Sequence, residues 1–154
     1  MKIEDLESMV RGIVDEAREI NNANTEVIDP PVNYVCIFSR SDDEYSELLE
    51  AAKQIGDIVK ETKMGPVFKI KEIETSAGVL DILKVRRFDP KRLERGDADF
   101  TISDYPSFKK NNLGSSNWDL ISRPDMEMLE LSAPGANVLV YYSNPILAEV
   151  IGIK

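Results

Sequence analysis

The side chains best equipped for chemistry crowd into one run, KVRRFDPKRLERGDADF, residues 84–100. Lys84, Arg86, Arg87, Lys91, Arg92 and Arg95 fall within twelve positions of a chain whose net charge is −9. An Arg guanidinium is a planar fork that grips a carboxylate or phosphate at two points. Arg86, Arg87, Arg92 and Arg95 are therefore candidates for holding a small anionic ligand. The competing reading is a solvent-exposed crossover whose arginines pair with acids of the N-terminal part. Asp97 and Asp99 follow, two apart, so on any strand they share a face. Asp99 joins the candidates, as does Asp81, a carboxylate inside the apolar run GVLDILKV. Tyr34, Phe68, Phe100, Trp118, Tyr141 and Tyr142 are aromatic candidates for lining a cavity. Tyr141 and Tyr142 are adjacent, so only one of them can point inward, and Tyr141 is the site candidate.

The rest of the inventory narrows the chemistry. There is no His, so a Ser-His-Asp triad is impossible and acid–base work falls to Asp, Glu, Tyr or Lys. Cys36 is the single cysteine. In VNYVCIFS it reads as a small buried hydrophobe, and no disulfide can form within the chain. No Walker loop, Gly-rich dinucleotide turn or Cys-x-x-Cys pair occurs. The expectation is no metal and no cofactor. Net negative charge argues against nucleic acid as a partner. No apolar run approaches the ~20 residues of a membrane span, and the acidic N-terminus is unlike a signal peptide. A cytoplasmic protein, monomer or homodimer, is expected.

These residues need elements to position them. Residues 2–22 repeat apolar side chains at helical spacing, Ile3, Leu6, Met9, Val10, Ile13, Val14, Ala17 and Ile20. That stripe is wide enough to demand cover, from the chain's own sheet or a second copy. VNYVCIFS (32–39) reads as a central strand. SDDEYSELLEAAKQIG reads as a helix with a Ser41–Glu44 capping box and Gly56 as its left-handed stop. Strands are expected at 57–62, 66–74 and 78–85. ADFTI (98–102) is another, and Ser103 caps a short helix to 112. Strands follow at 117–123, 126–132 and 137–143. A last helix starts from Asn144 as cap with Pro145 in its first position.

Residues 30–85 thus read strand, helix, strand, strand, strand, and residues 98–143 read the same. Residues 86–97 are the connector, with turns at Asp89-Pro90 and Arg95-Gly96-Asp97. Residues 1–29 are an added helix and linker, and 144–154 a short helical tail. The fold class is α+β, two tandem βαβββ modules behind an N-terminal amphipathic helix. A ferredoxin-like double module is the alternative.

The strand NYVCIF, the pair VFKI with LDILKV, and the leading helix resemble the vicinal oxygen chelate, or glyoxalase-like, superfamily. Within it the chain is most similar to the YecM-type branch, over most of residues 30–143. The resemblance implies a metal held by His, Glu or Gln on the first and last strands of each module. In the YecM-type branch it also implies an Asp-His pair on the first strand, where this chain has Asn33-Tyr34. With no His, Zn²⁺ or Fe²⁺ loses its usual nitrogen ligand. Glu127 and Glu130 are an odd number apart and do not share a strand face. The function expected is binding of a small molecule, or an interaction role, on a glyoxalase-like scaffold without the usual metal ligands. The alternative is a carboxylate-dependent enzyme, assisted by Mg²⁺ or Mn²⁺, acting on a small anionic or carbonyl substrate.

Overall fold

The structure, a computed structural model, describes residues 1–153. Helix α1 (Ile3–Asn24) precedes a first module of β1 (Val32–Phe38), α2 (Asp42–Ile55), β2 (Gly56–Lys60), β3 (Val67–Thr75) and β4 (Gly78–Arg86). The second module is β5 (Gly96–Phe100), α3 (Tyr105–Asn112), β6 (Trp118–Ser122), β7 (Glu127–Leu131) and β8 (Val138–Asn144), and α4 (Leu147–Val150) ends the chain. All strands form one sheet in the order β2-β3-β4-β1-β5-β8-β7-β6. Each half has the same internal order, mirrored about its centre. The element order repeats as the sequence predicts, and the two βαβββ modules share one continuous sheet.

The seam between modules is the antiparallel pair β1–β5, and the parallel pairs β1–β4 and β5–β8 flank it. Gly96 makes the seam close: a Cβ there would strike the Cys36 carbonyl and Ile13. β1 is central and apolar on both faces, which is why its sequence does not alternate.

One face of the sheet carries the main core. Leu6, Val10, Ile13, Val14 and Ala17 of α1 pack with Val35, Ile37, Ala98 and Val140 of the central strands. α1 touches β1, β3, β5 and β8, so it covers the chain's own sheet across the seam. α2 covers β2, β3 and β4 beside it. On the other flank Phe108 of α3 meets Trp118 and Tyr142, whose rings stack at 5.5 Å between centroids. Phe68, Phe100, Trp118 and Tyr142 all belong to this helix-covered core. Of the six aromatics considered as cavity lining, only Tyr34 and Tyr141 lie on the opposite face.

Local details differ from expectation for identifiable reasons. Gly56 is not a left-handed stop: its φ is −174°, and it enters β2 directly. It is glycine because a side chain would strike the Lys69 carbonyl. Ser41 Oγ does accept from the Glu44 N–H at 3.0 Å, but Glu44 returns its carboxylate to the Arg40 N–H, one residue early. The cap of α3 is Asp104, which accepts from the Ser107 N–H, rather than Ser103. Pro145 precedes α4 instead of opening it, since the cap position falls to Ile146. Gly96 and Asp97 are strand rather than turn, and Arg86 closes β4, so the connector shortens to residues 87–95.

Candidate functional site

The sheet face away from α1, α2 and α3 holds a cavity of about 610 Å³. Alternation decides which side chains reach it. Tyr34, Cys36 and Phe38 come from β1, Lys84 and Arg86 from β4, Asp97 from β5, and Tyr141 from β8. Met128 and Glu130 of β7 extend the floor. The walls are the segments after β2 and after β6, equivalent hairpins in the two modules. They bring Lys60, Lys63 and Met64 on one side, and Arg123, Asp125 and Met126 on the other. Arg92 of the connector and Leu147 and Val150 of α4 complete the lining.

The charge of this lining is the reverse of the chain's. Six basic side chains, Lys60, Lys63, Lys84, Arg86, Arg92 and Arg123, face three acids, Asp97, Asp125 and Glu130. Arg86 lies with its guanidinium 5.0 Å from the centroid of the Phe38 ring and 3.6 Å from Asp89, and its Nε is buried without a partner. Arg92 is 3.4 Å from Glu94. Among the described residues Lys84 has no carboxylate within salt-bridge distance. A second groove, about 790 Å³, runs between residues 23–27 and α3. It is larger, but it is lined by hydroxyls, amides, Glu26 and Asp104, with no cation.

Two buried carboxyls follow one another on β5, Asp97 in the cavity lining and Asp99 outside it. Asp97 is 6% exposed and Asp99 fully buried. Asp99 Oδ1 accepts from Asn33 Nδ2 at 2.9 Å, Ser143 N–H at 3.1 Å and Ser143 Oγ at 2.8 Å. Burial raises its pKa to about 6, against the pull of those hydrogen bonds. Asp97 Oδ1 is enclosed and has no hydrogen-bond partner. Burial pushes its pKa well up and the charge of Asp99 adds to this, while Lys84 and Arg86 oppose it. Tyr141 donates to Glu130 Oε2 at 2.6 Å, which fixes its ring over the floor. Burial, with Asp97 next, holds the Tyr34 hydroxyl and the Cys36 thiol well above their ordinary values. Neither is a ready nucleophile.

The candidate residues therefore separate. Arg86, Arg92 and Tyr141 meet in the cavity, while Asp99 is outside its lining, with Oδ1 held by Asn33 and Ser143 and Oδ2 buried without a partner. Arg87 is exposed outside it, with its N–H on the Met64 carbonyl. Arg95 reaches the other side of the sheet, where Glu44 holds it at two points, 2.6 and 3.1 Å. Asp81 pairs with Lys69 at 2.8 Å and is not part of the lining. Leu80 and Leu83, three apart, both face the helix-covered core, so alternation breaks inside β4 and parity alone does not place Asp81. Lys84 and Asp97 were not singled out, although stepping two residues from Arg86 and from Asp99 leads to them. Among the described residues no three Cys, Asp or Glu side chains group so as to hold a metal ion.

No family model and no curated protein matches the chain. A solved structure titled "Structural Genomics, Protein EC4020" is similar over 97% of this chain and 91% of its own, with a TM-score of 0.73 and 11% sequence identity. That likeness shows the fold. It spans both modules and most of the added elements, so α1 and the paired modules form one shared architecture. Among the described residues no helix is long and apolar enough to cross a membrane.

Asp99 gives the site a measurable pH signature. A carboxyl whose pKa is raised in the fold binds its proton more tightly folded than unfolded. It therefore favours the fold below the ordinary aspartate range and progressively disfavours it as pH rises through about 6. Two pKa units correspond to roughly 3 kcal/mol. Asp99→Asn keeps the acceptor at Oδ1 and removes the titration. Urea unfolding at pH 4 to 7 is expected to show the variant gaining roughly 3 kcal/mol on the parent across that window. A constant offset between the two would mean that Asp99 ionises alike in both states.

Proposed function

We propose that the chain binds a small organic anion in the cavity on the helix-free face of its sheet. The observation that carries this is the concentration of six basic side chains around one cavity of a chain with net charge −9. Tyr34, Phe38, Val67 and Met128 give the same cavity apolar surface for the ligand's body. The paired modules support reading the chain as a glyoxalase-like protein of the YecM-type branch, acting in the cytoplasm as a monomer or homodimer. In this reading cations have taken over ligand binding from a metal.

The test is calorimetric titration and thermal unfolding with sulfate, benzoate and citrate. Binding is expected to raise the melting temperature, to weaken with salt and to fall at least about tenfold in a Lys84→Gln/Arg86→Gln variant, since each lost charged hydrogen bond costs about 1.5–3 kcal/mol. Failure of all three anions to bind at millimolar concentration sinks the reading. A second reading, acid–base catalysis on a small carbonyl compound, draws on Asp97, a carboxyl that keeps its proton to higher pH beside bound ligand. It requires turnover of a bound compound, visible by NMR, where simple binding leaves the compound unchanged.

A further inference from the structure

The floor of the cavity holds one group that the anion-binding reading alone leaves unexplained. Asp97 places a carboxylate where an anion would have to settle. Its Oδ1 is enclosed without a hydrogen-bond partner, and the residue is 6% exposed and part of the lining. A buried carboxyl with an unmade hydrogen bond is costly, and the charges of Lys84 and Arg86 offset that cost without supplying the bond. Asn33 and Ser143, the donors on this part of the face, are spent on Asp99. Across the sheet, Lys84 pairs in register with Cys36, and Cys36 with Asp97. Lys84 and Asp97 thus flank one residue on the same face, and a ligand group lying over Cys36 meets both.

We propose that anion binding in this cavity is coupled to the uptake of a proton: Asp97 in its acid form donates a hydrogen bond to the anionic oxygen while Lys84 and Arg86 neutralise its charge. This rests on the anion-binding reading of the same cavity. An O–H donor to an anionic oxygen makes a short, strong hydrogen bond, whereas an ionised Asp97 repels the same oxygen. The surroundings favour the acid form. Asp99 on β5 and Glu130 on β7 raise the Asp97 pKa together with burial, and Lys84 and Arg86 on β4 lower it. Tyr34 and Cys36 of β1 and Tyr141 of β8 also face it, all with raised pKa values. α4 lines the cavity with Leu147 and Val150 only. An arriving anion is one more negative charge beside Asp97 and strengthens its hold on the proton.

The probes are sulfate and benzoate, neither of which titrates between pH 6 and 8. Calorimetry at one pH in buffers of different ionisation enthalpy reads proton uptake directly on the unaltered protein. On the alkaline side of the Asp97 titration, uptake approaching about one proton per anion is expected, with affinity falling up to about tenfold per pH unit. Asp97→Asn keeps an N–H donor of the same shape but cannot ionise. It is expected to bind with a flat pH profile and no uptake, and more tightly than the parent on the alkaline side of the Asp97 titration. Anion binding without uptake in the parent, or an unchanged pH profile in Asp97→Asn, overturns the coupling and leaves the anion reading standing. No binding of either probe overturns both.

Discussion

A chain lacking residues 1–24 is expected to have no cooperative unfolding transition at all. Leu6, Val10, Ile13 and Val14 are at most 2% exposed against the central strands. At about 1.5–3 kcal/mol for each fully buried side chain, their removal costs about 6–12 kcal/mol. That is comparable with the whole stability of an ordinary domain, about 5–15 kcal/mol. The truncation also uncovers Val35, Ala98 and Val140 on the partner face. It further removes the Asn21 acceptor of the Tyr142 hydroxyl, 2.7 Å, and the Glu16 acceptor of the Asn137 N–H, 2.8 Å. Calorimetry and near-ultraviolet circular dichroism on the shortened chain decide it. A monodisperse product with the melting temperature of the full chain would show α1 to be an appendage.

The second large effect concerns Arg95. Its guanidinium is 14% exposed and closes a knot at the end of the sheet. It donates to both oxygens of Glu44 and to the Phe38 carbonyl at 3.1 Å. Burial works against the Glu44 carboxylate, yet the hydrogen bonds from Arg95 and the Arg40 N–H hold its pKa below the ordinary value. Arg95→Met leaves that carboxylate and the Phe38 carbonyl without their donors. Loss of one partner of a fully buried pair costs about 3–5 kcal/mol, less for a part-buried pair such as this one, while replacing both with apolar groups is often close to neutral. Urea midpoints are expected to drop sharply in Arg95→Met and to recover for the most part in Arg95→Met/Glu44→Leu. Anion binding should survive in both variants, because Arg95 lies on the far side of the sheet from the cavity. Equal stability of parent and single variant would dissolve the knot, and loss of binding would return Arg95 to the site.

The contrast between Arg95 and Arg86 shows how far the sequence can be read. The element order was legible because each module repeats it, so every weak signal for a strand or a helix was supported by a second copy. The covering role of α1 was legible from its stripe, since a face from Leu6 to Ala17 must lie against something. The basic run was visible too, but its division was not. Strand β4 ends within it, so Arg86 stays on the cavity face while Arg87 and Lys91 turn to solvent and Arg95 passes under α1 and α2. Only the path of the connector decides those fates, and no local rule encodes a path. Asp81 was a candidate because a carboxylate stood in an apolar run, but its partner stands on the neighbouring strand, Lys69 at 2.8 Å. A break in alternation leaves parity unable to say which face Asp81 takes. The division of the aromatics between core and cavity was hidden for a related reason. Alternation says that Tyr141 and Tyr142 face opposite ways, but the choice of which face the helices cover belongs to the whole sheet.

The hydrogen bond between Asn21 and Tyr142 spans 121 positions of the chain. On a ribosome adding about 5–20 residues each second, α1 emerges roughly 6–24 s before the strand that completes its cover. Until β8 is made, Leu6, Val10 and Ile13 can rest only on the first module and then on β5, as these emerge in turn. The nascent chain therefore carries a half-covered amphipathic helix for most of its synthesis. Holdase chaperones that recognise exposed apolar helices have their longest opportunity there, and destabilised variants of the second module would lengthen it.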